Sequence, residues 1–233
     1  MAKLTFISDE DLYTATKMLV NAALNAQKSV DKNPYRNVID PFSALVDAAR
    51  QTITTEEWML QEKSRQVQKA FQNALGDFHQ TILGAMQGWK DAGKGGSYDV
   101  INVEKAIIAE VKNKYNTMNA RSALSVYDNL SRHLDYSEAA ITKAYLVEII
   151  PKTPKPYEVS FAPSERGTSR PARKDILKMD GDSFYELASG EKDALQSLYN
   201  VLPEILEELL DVTAEELTSS KTFDELFDRV YKK

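Results

Sequence analysis

Of the twenty lysines in this 233-residue chain, only Lys112 has an acidic residue two positions before it, Glu110. On a strand, residues i and i+2 leave the same face, so acid-x-Lys holds a carboxylate and an ammonium side by side. Ile107, Ala109 and Val111 occupy the other face of this segment and suit a buried core. The run Tyr98-Asp-Val-Ile-Asn-Val103 precedes Ala106-Ile-Ile-Ala-Glu-Val-Lys112, and two such β-branched runs read as a hairpin. A turn centred on Glu104-Lys105 puts Val103 opposite Ala106, Ile101 opposite Ile108 and Asp99 opposite Glu110. Directly opposed Cβ atoms lie roughly 4.5–5.5 Å apart, so two carboxylates and one ammonium would share a small patch. Paired carboxylates repel, and a divalent cation removes that penalty. A one-residue slip would turn Asp99 to the other face and dissolve the patch.

Residue types that are missing narrow the chemistry further. Zero cysteines exclude disulfides, thiolate zinc sites, iron–sulfur clusters and a cysteine nucleophile. Only His79 and His133 are present, which excludes a three-histidine metal site, and neither HExxH nor GxSxG occurs. A metal would therefore be held mainly by oxygen, which favours a hard cation such as Mg²⁺.

The elements that must position these residues follow from periodicity. Leu12, Ala15, Leu19, Ala22, Ala23 and Ala26 predict an amphipathic helix over Asp9–Gln27, ended by Asn33-Pro34-Tyr35. A second helix runs from Pro41 to about Gln51 with Phe42, Leu45, Val46 and Ala49 on one face. Thr54-Thr55-Glu56-Glu57 starts a long helix through Leu75, with a break at Gly76 and a further helix to Met86. The glycine-rich connector Asp91-Ala-Gly-Lys-Gly-Gly96 leads into the hairpin; it lacks GxxxxGK[ST] and is read as a connector, not a phosphate loop. Segments 123–133 and 136–142 read as helices, 144–150 and 157–162 as strands around a proline-rich turn, and 163–174 as a basic loop. Ile176-Leu177 and acidic helices close the chain. The expected fold is α/β (α+β), one domain over 1–233 with a mixed central sheet flanked by helices: 1–90 mainly helical, 97–162 the strand core, 175–233 helical.

Composition places these elements in water. Hydrophobic residues make up 42% of the chain, and no run of about 18 apolar residues or basic leader is present, so no membrane span or signal peptide is expected and a cytoplasmic location is the default. The net charge of −6 is uneven: residues 175–233 carry fifteen acids against six bases, a net of −9, and the remainder carries 23 bases against 20 acids, a net of +3. The C-terminal acid could face away from a polyanion.

The Asp99…Glu110-x-Lys112 arrangement resembles the PD-(D/E)XK nuclease superfamily, with Tyr98-Asp99 where that family has Pro-Asp. The blocks Asn37-Val-Ile-Asp-Pro-Phe42, Gln66-Val-Gln-Lys-Ala-Phe-Gln72, Gly76-Asp-Phe-His-Gln-Thr-Ile-Leu83 and Ile108-Ala-Glu-Val-Lys-Asn-Lys-Tyr-Asn-Thr117 look like the type II restriction endonucleases that cut GGNCC or GGWCC sites. That resemblance, over most of residues 37–120, implies a Mg²⁺-dependent nuclease acting on double-stranded DNA and leaving 5′-phosphates. It also implies a homodimer matched to a near-palindromic site and a cognate DNA methyltransferase. Asp99, Glu110 and the carbonyl of Val111 would be metal ligands, and Lys112 would orient or deprotonate the attacking water. Glu62 is the candidate for an added helix acid, with Glu57 behind it. Lys114, Asn116, Thr117, Asn119 and Arg121 follow the catalytic strand and are placed for phosphate contacts. Arg166, Arg170 and Arg173 lie in a polar loop and are the candidates to read guanine edges, with Lys174 beside them as a further DNA-binding candidate. His79 and the two tryptophans, Trp58 and Trp89, read as packing residues, and His133 has no partner signal. Two rivals stand beside this reading: a repair or junction-resolving nuclease on the same fold, and a noncatalytic protein in which Glu110–Lys112 is an ion pair and the acidic helices bind a partner.

Overall fold

β-Branched residues around positions 100 and 110 pair as their spacing predicts. In the computed structural model, which describes residues 2–93, 95–136 and 140–232, β2 (Val100–Asn102) and β3 (Ile107–Lys114) form an antiparallel hairpin with Ile101 opposite Ile108. The reversal spans Val103–Ala106: the Ala106 N–H donates to the Val103 carbonyl at 3.2 Å and Ala106 takes a φ of 56°. β1 (Trp89–Asp91) adds at the outer edge, and β4 (Lys143–Ile150) runs parallel to β3 on the other side. After β5 (Glu158–Ser160), the short hairpin β6 (Ser164–Glu165) and β7 (Thr168–Ser169) stands apart from the main sheet, and β8 (Ile176–Asp180) returns parallel to β4. The six-stranded mixed sheet has the order β1-β2-β3-β4-β8-β5. Parallel neighbours require a crossover, and α4 (Ala120–Tyr136) supplies it between β3 and β4. The strand cluster was expected; β1 was not, because three residues carrying one large apolar side chain give no alternation to detect.

Helices flank this sheet, giving the mixed α/β, restriction-endonuclease-like fold that was expected. Ahead of it come α1 (Asp9–Lys32), α2 (Pro41–Gln51) and α3 (Thr55–Ala85). The Asp40 side chain caps α2, and Thr54 and Glu57 close a reciprocal box at the start of α3, with bonds of 2.8 Å and 3.2 Å. Gly76 does not break α3, which runs through it without interruption. One helical glycine costs only about 1 kcal/mol, less than the flanking turns gain by packing. Residues 140–142 of the second helix expected after α4 are not helical, and residues 137–139 lie outside those described, as does Lys94 of the connector. Here Ile141 is buried as a core residue, and the Thr142 and Lys143 N–H groups donate to the Ala106 carbonyl, drawing the chain straight into β4. The acidic region forms α5 (Gly181–Ser189), α6 (Ala194–Leu209), α7 (Ala214–Thr218) and α8 (Thr222–Tyr231).

The chain divides into two compact units, Lys17–Asp77 and Met1–Thr16 with Phe78–Lys233. In the second, the sheet is buried on both faces, which is why β3 and β4 read as nearly continuous apolar runs. One face packs Ile108, Ala144, Leu146 and Ile176 against Tyr127 and Leu130 of α4. On the other, Phe184 of α5 lies edge-on to Trp89 and Tyr145 at centroid distances of 5.4 Å and 5.7 Å. Gly181 allows this approach, since a Cβ there would meet the Ile149 backbone at 2.5 Å.

Candidate active site

Along β3, β4 and β8 the α4-side face changes character. Ile108, Ala144 and Ile176 lie in register near the start of the parallel run, and two to four residues on come Glu110, Lys112, Glu148, Lys178 and Asp180. The apolar cluster thus gives way to charge toward the carboxyl ends of the strands, the side on which open α/β sheets bind their ligands. Asp99 stands one residue before β2, opposite Glu110 in the hairpin register, with its N–H donating to the Ala109 carbonyl at 2.9 Å. Its Oδ2 accepts the Val111 N–H at 2.7 Å, and the Lys112 ammonium donates to Glu110 Oε1 at 2.6 Å. Glu110 and Lys112 keep 15% and 28% of their side-chain surface exposed, so the pair is reachable and yet partly desolvated.

Burial, and next the Glu110 carboxylate, push the pKa of Asp99 up to about 6, while the Val111 N–H and the Lys112 ammonium pull it back and Asp91 adds to the rise. A carboxylate so placed is short of positive charge. Its donor chemistry fits a hard divalent cation, which takes carboxylate and carbonyl oxygen. A strand residue's N–H and C=O leave the same edge, so the Val111 carbonyl faces the edge on which Asp99 accepts its N–H. Among the described residues no cluster of three or more His, Asp or Glu side chains is arranged to hold a metal ion. The candidate side-chain donors at this patch are the two carboxylates, Asp99 and Glu110.

Next to it lies a group the sequence did not single out. Glu148, opposite Lys112 in the β3–β4 register, is 4% exposed. It accepts from the Tyr157 hydroxyl at 2.6 Å and sits 3.5 Å from the Lys178 ammonium. Burial and the Glu148 carboxylate raise the Tyr157 pKa strongly, so the phenol stays protonated and donates. Asp180 accepts the Tyr157 N–H and the Ser183 N–H, joining β5 to the start of α5. One signal was available: Glu148 is the one charged residue in the stretch Ala144–Ile150 of β4.

Other expected site residues fall in distinct places. Lys114 ends β3, and its carbonyl accepts from the Thr117 N–H and hydroxyl in the turn that leads to α4. Asn119 caps α4 by accepting the Ser122 N–H at 2.8 Å, while Asn116, Thr117 and Arg121 are exposed. Arg170 is engaged by Asp128 of α4 through bonds of 2.6 Å and 2.7 Å, and Arg173 by Asp135 and Asp175. Arg166, with a φ of 44°, and Lys174 are exposed. Glu62, in the unit Lys17–Asp77, is 6% exposed and held by the Arg65 guanidinium at 2.6 Å and the Gln66 amide at 2.9 Å. Glu57 is occupied by its capping box. His79 meets the Tyr185 hydroxyl at 2.8 Å, His133 lies edge-on to Tyr98, and Trp89 donates to the Ala188 carbonyl, all packing roles.

Comparison with known proteins gives the family. Residues 4–211 match the family model described as Eco47II restriction endonuclease. The chain is 42% identical over 220 residues to the type II restriction enzyme Eco47II of Escherichia coli, covering 90% of this chain and 89% of that protein. To the type II restriction enzyme Sau96I of Staphylococcus aureus it is 28% identical over 234 residues, covering 97% and 88%. With nearly its whole length matched and a two-carboxylate and lysine patch at the end of its central hairpin, the chain belongs to the Eco47II restriction endonuclease family.

Proposed function

We propose that this site-specific deoxyribonuclease hydrolyses double-stranded DNA at a G/C-rich palindrome of the GGNCC or GGWCC type, with Asp99, Glu110 and Lys112 as its catalytic residues. The observation that carries the assignment is the Asp99–Glu110–Lys112 patch itself, in which the Lys112 ammonium lies 2.6 Å from Glu110 and Asp99 sits opposite in register. Asp99 and Glu110, with the Val111 carbonyl, would hold Mg²⁺, which when bound supplies a Lewis acid for the scissile phosphate and a water of lowered pKa. Lys112, held in place by Glu110, orients the attacking water and offsets the negative charge that builds on the phosphate oxygens. Water adds to phosphorus and the bond to the 3′ oxygen breaks, leaving a 5′-phosphate.

Lys114, Asn116, Thr117, Asn119 and Arg121 follow directly on the catalytic strand and are assigned to backbone phosphates. Arg166 and Lys174 are the exposed cations of the 163–174 loop and are assigned to the DNA; Arg170 and Arg173, paired with acids, hold that loop against α4 and would reach bases by exchanging those partners. Glu62 remains only the candidate for an added helix acid, and Arg65 and Gln66 fix its carboxylate within its own unit. Two copies would act on the two strands of the palindrome, and a cognate methyltransferase would protect the host site. The test is incubation of the purified protein with unmethylated phage DNA, with Mg²⁺ and with EDTA, followed by sequencing of fragment ends. Defined ends at one short G/C-rich sequence, formed only with the metal, are expected. Indiscriminate nicking would replace this reading with a repair nuclease, and inactivity across divalent metals with a binding protein.

A further inference from the structure

α2 turns its apolar face outward. Phe42, Leu45, Val46 and Ala49 recur at i, i+3, i+4 and i+7, the stripe by which a helix normally packs on a core. Here Phe42 is 80%, Leu45 72% and Val46 66% exposed. The opposite side is small and polar: Asp47, with 38% of its side chain exposed, accepts from Trp58 Nε1 at 3.1 Å, from Gln51 and from Arg50, so the helix's one acid is already partnered. The surface continues beyond the helix. A cavity of about 430 Å³ opens among Tyr35, Ile39, Leu45, Trp58 and Met59, and Tyr35 and Met59 also border Leu60, which is 64% exposed.

We infer that this face is the homodimer interface, with two copies meeting α2 against α2 across a two-fold axis. The inference rests on the functional reading above and names the surface that would join the copies. Single chains in water rarely leave contiguous apolar patches of more than a few hundred Å² uncovered. Aromatic side chains such as Tyr35 and Phe42 carry roughly 150–250 Å² each, and with the smaller Leu45, Val46 and Leu60, all exposed, the face reaches roughly 500–1,000 Å². That range brackets the approximately 800 Å² per partner of a standard stable interface. The occupant is a second copy for three reasons. An apolar stripe is complementary to itself, as an isologous contact demands. Within α2 the one basic residue, Arg50, is paired with Asp47, so the helix stripe itself offers no free cation to a polyanion, and Lys63 stands only at the border of the patch. The chain holds one Asp99–Glu110–Lys112 set, and a duplex with two-fold symmetry presents two scissile bonds.

Sedimentation of the full chain without DNA, across micromolar concentrations, tests this alongside Leu45→Glu and Val46→Lys. Both positions are exposed, so circular dichroism and melting of the variants should match wild type. The expected result is a wild-type dimer whose dissociation constant rises by at least about 100-fold in each variant. A wild type that is monomeric throughout, or variants that dimerise as tightly as wild type, would overturn the proposal. In the monomeric case, weaker duplex binding by the variants would assign the face to DNA instead. Cleavage keeps the two readings separable: an inactive wild type whose variants fall apart overturns the nuclease reading and supports the interface, and an active wild type whose variants stay paired does the reverse.

Discussion

At residue scale, the central question is why one strand mixes Glu110 and Lys112 with four buried apolar neighbours. The Glu110–Lys112 bond of 2.6 Å is a charge-assisted contact, yet Asp99 beside it is pushed up to about 6 by burial and by Glu110, so the patch as a whole is strained toward gaining positive charge. Such an arrangement works against stability and suits a cation site. Asp99→Ala, Glu110→Ala and Lys112→Ala should each lower the cleavage rate by at least about 10³-fold, about 4 kcal/mol of barrier, while duplex affinity in a gel-shift assay stays within about threefold. Unchanged cleavage in any of them removes that residue from the chemistry. Glu148 differs, because Tyr157 and Lys178 satisfy it inside the protein. Tyr157→Phe should therefore cost about 1–3 kcal/mol in urea unfolding, the penalty for withdrawing a donor from a buried carboxylate. A neutral result would mean that water or Lys178 replaces the phenol at no cost.

At the scale of elements, the glycines separate propensity from packing. Gly76 sits inside α3 with helical backbone and open space around its missing Cβ, so Gly76→Ala should stabilise the protein by about 0.5–1 kcal/mol. Gly181 opens α5 hard against β4, and Gly181→Ala should destabilise by at least about 2 kcal/mol, because the clash is with the Ile149 backbone and no rotamer relieves it. Thermal melts of the two variants should move in opposite directions; a common direction would mean that the packing around one of the two glycines differs from that described. Sequence periodicity could not distinguish the two. It marks Gly76 as a breaker in a run of good helix formers and gives Gly181 no special weight, because close approach is a property of the partner strand.

For the molecule as a whole, pH exposes how the core was assembled. Burial lowers the pKa of His79 from 6.5 to about 4, with its Nδ1 against the Tyr185 hydroxyl. The unfolded chain takes up this proton first as pH falls. The stability that depends on a neutral His79 is therefore fully present above about pH 6.5 and is lost progressively toward pH 4. The melting temperature of wild type should fall more steeply over that window than that of His79→Gln, which cannot titrate. Parallel curves would mean that His79 is protonated in the folded protein as readily as in the unfolded one. The uneven charge belongs to the same scale, since the acidic excess is carried by the last elements, β8 and α5 to α8, and the site lies on strands that precede most of it.

The hairpin, its register and the Asp99–Glu110–Lys112 grouping were legible in the sequence. Alternation with period two and a short turn fix which side chains face each other, and no distant contact is needed to decide it. α1, α2 and the cap of α3 were legible for the same local reason. Tertiary structure alone decided the rest. Glu148 joins the charged face only because β4 pairs in parallel with β3, a register set by a crossover of some thirty residues. Arg170 and Arg173 look like free cations in sequence and become partners of α4 acids once the loop folds back. The stripe on α2 is the reverse case: its periodicity predicts a buried face, but a local pattern states that a face is apolar and leaves to the assembled molecule what, if anything, covers it.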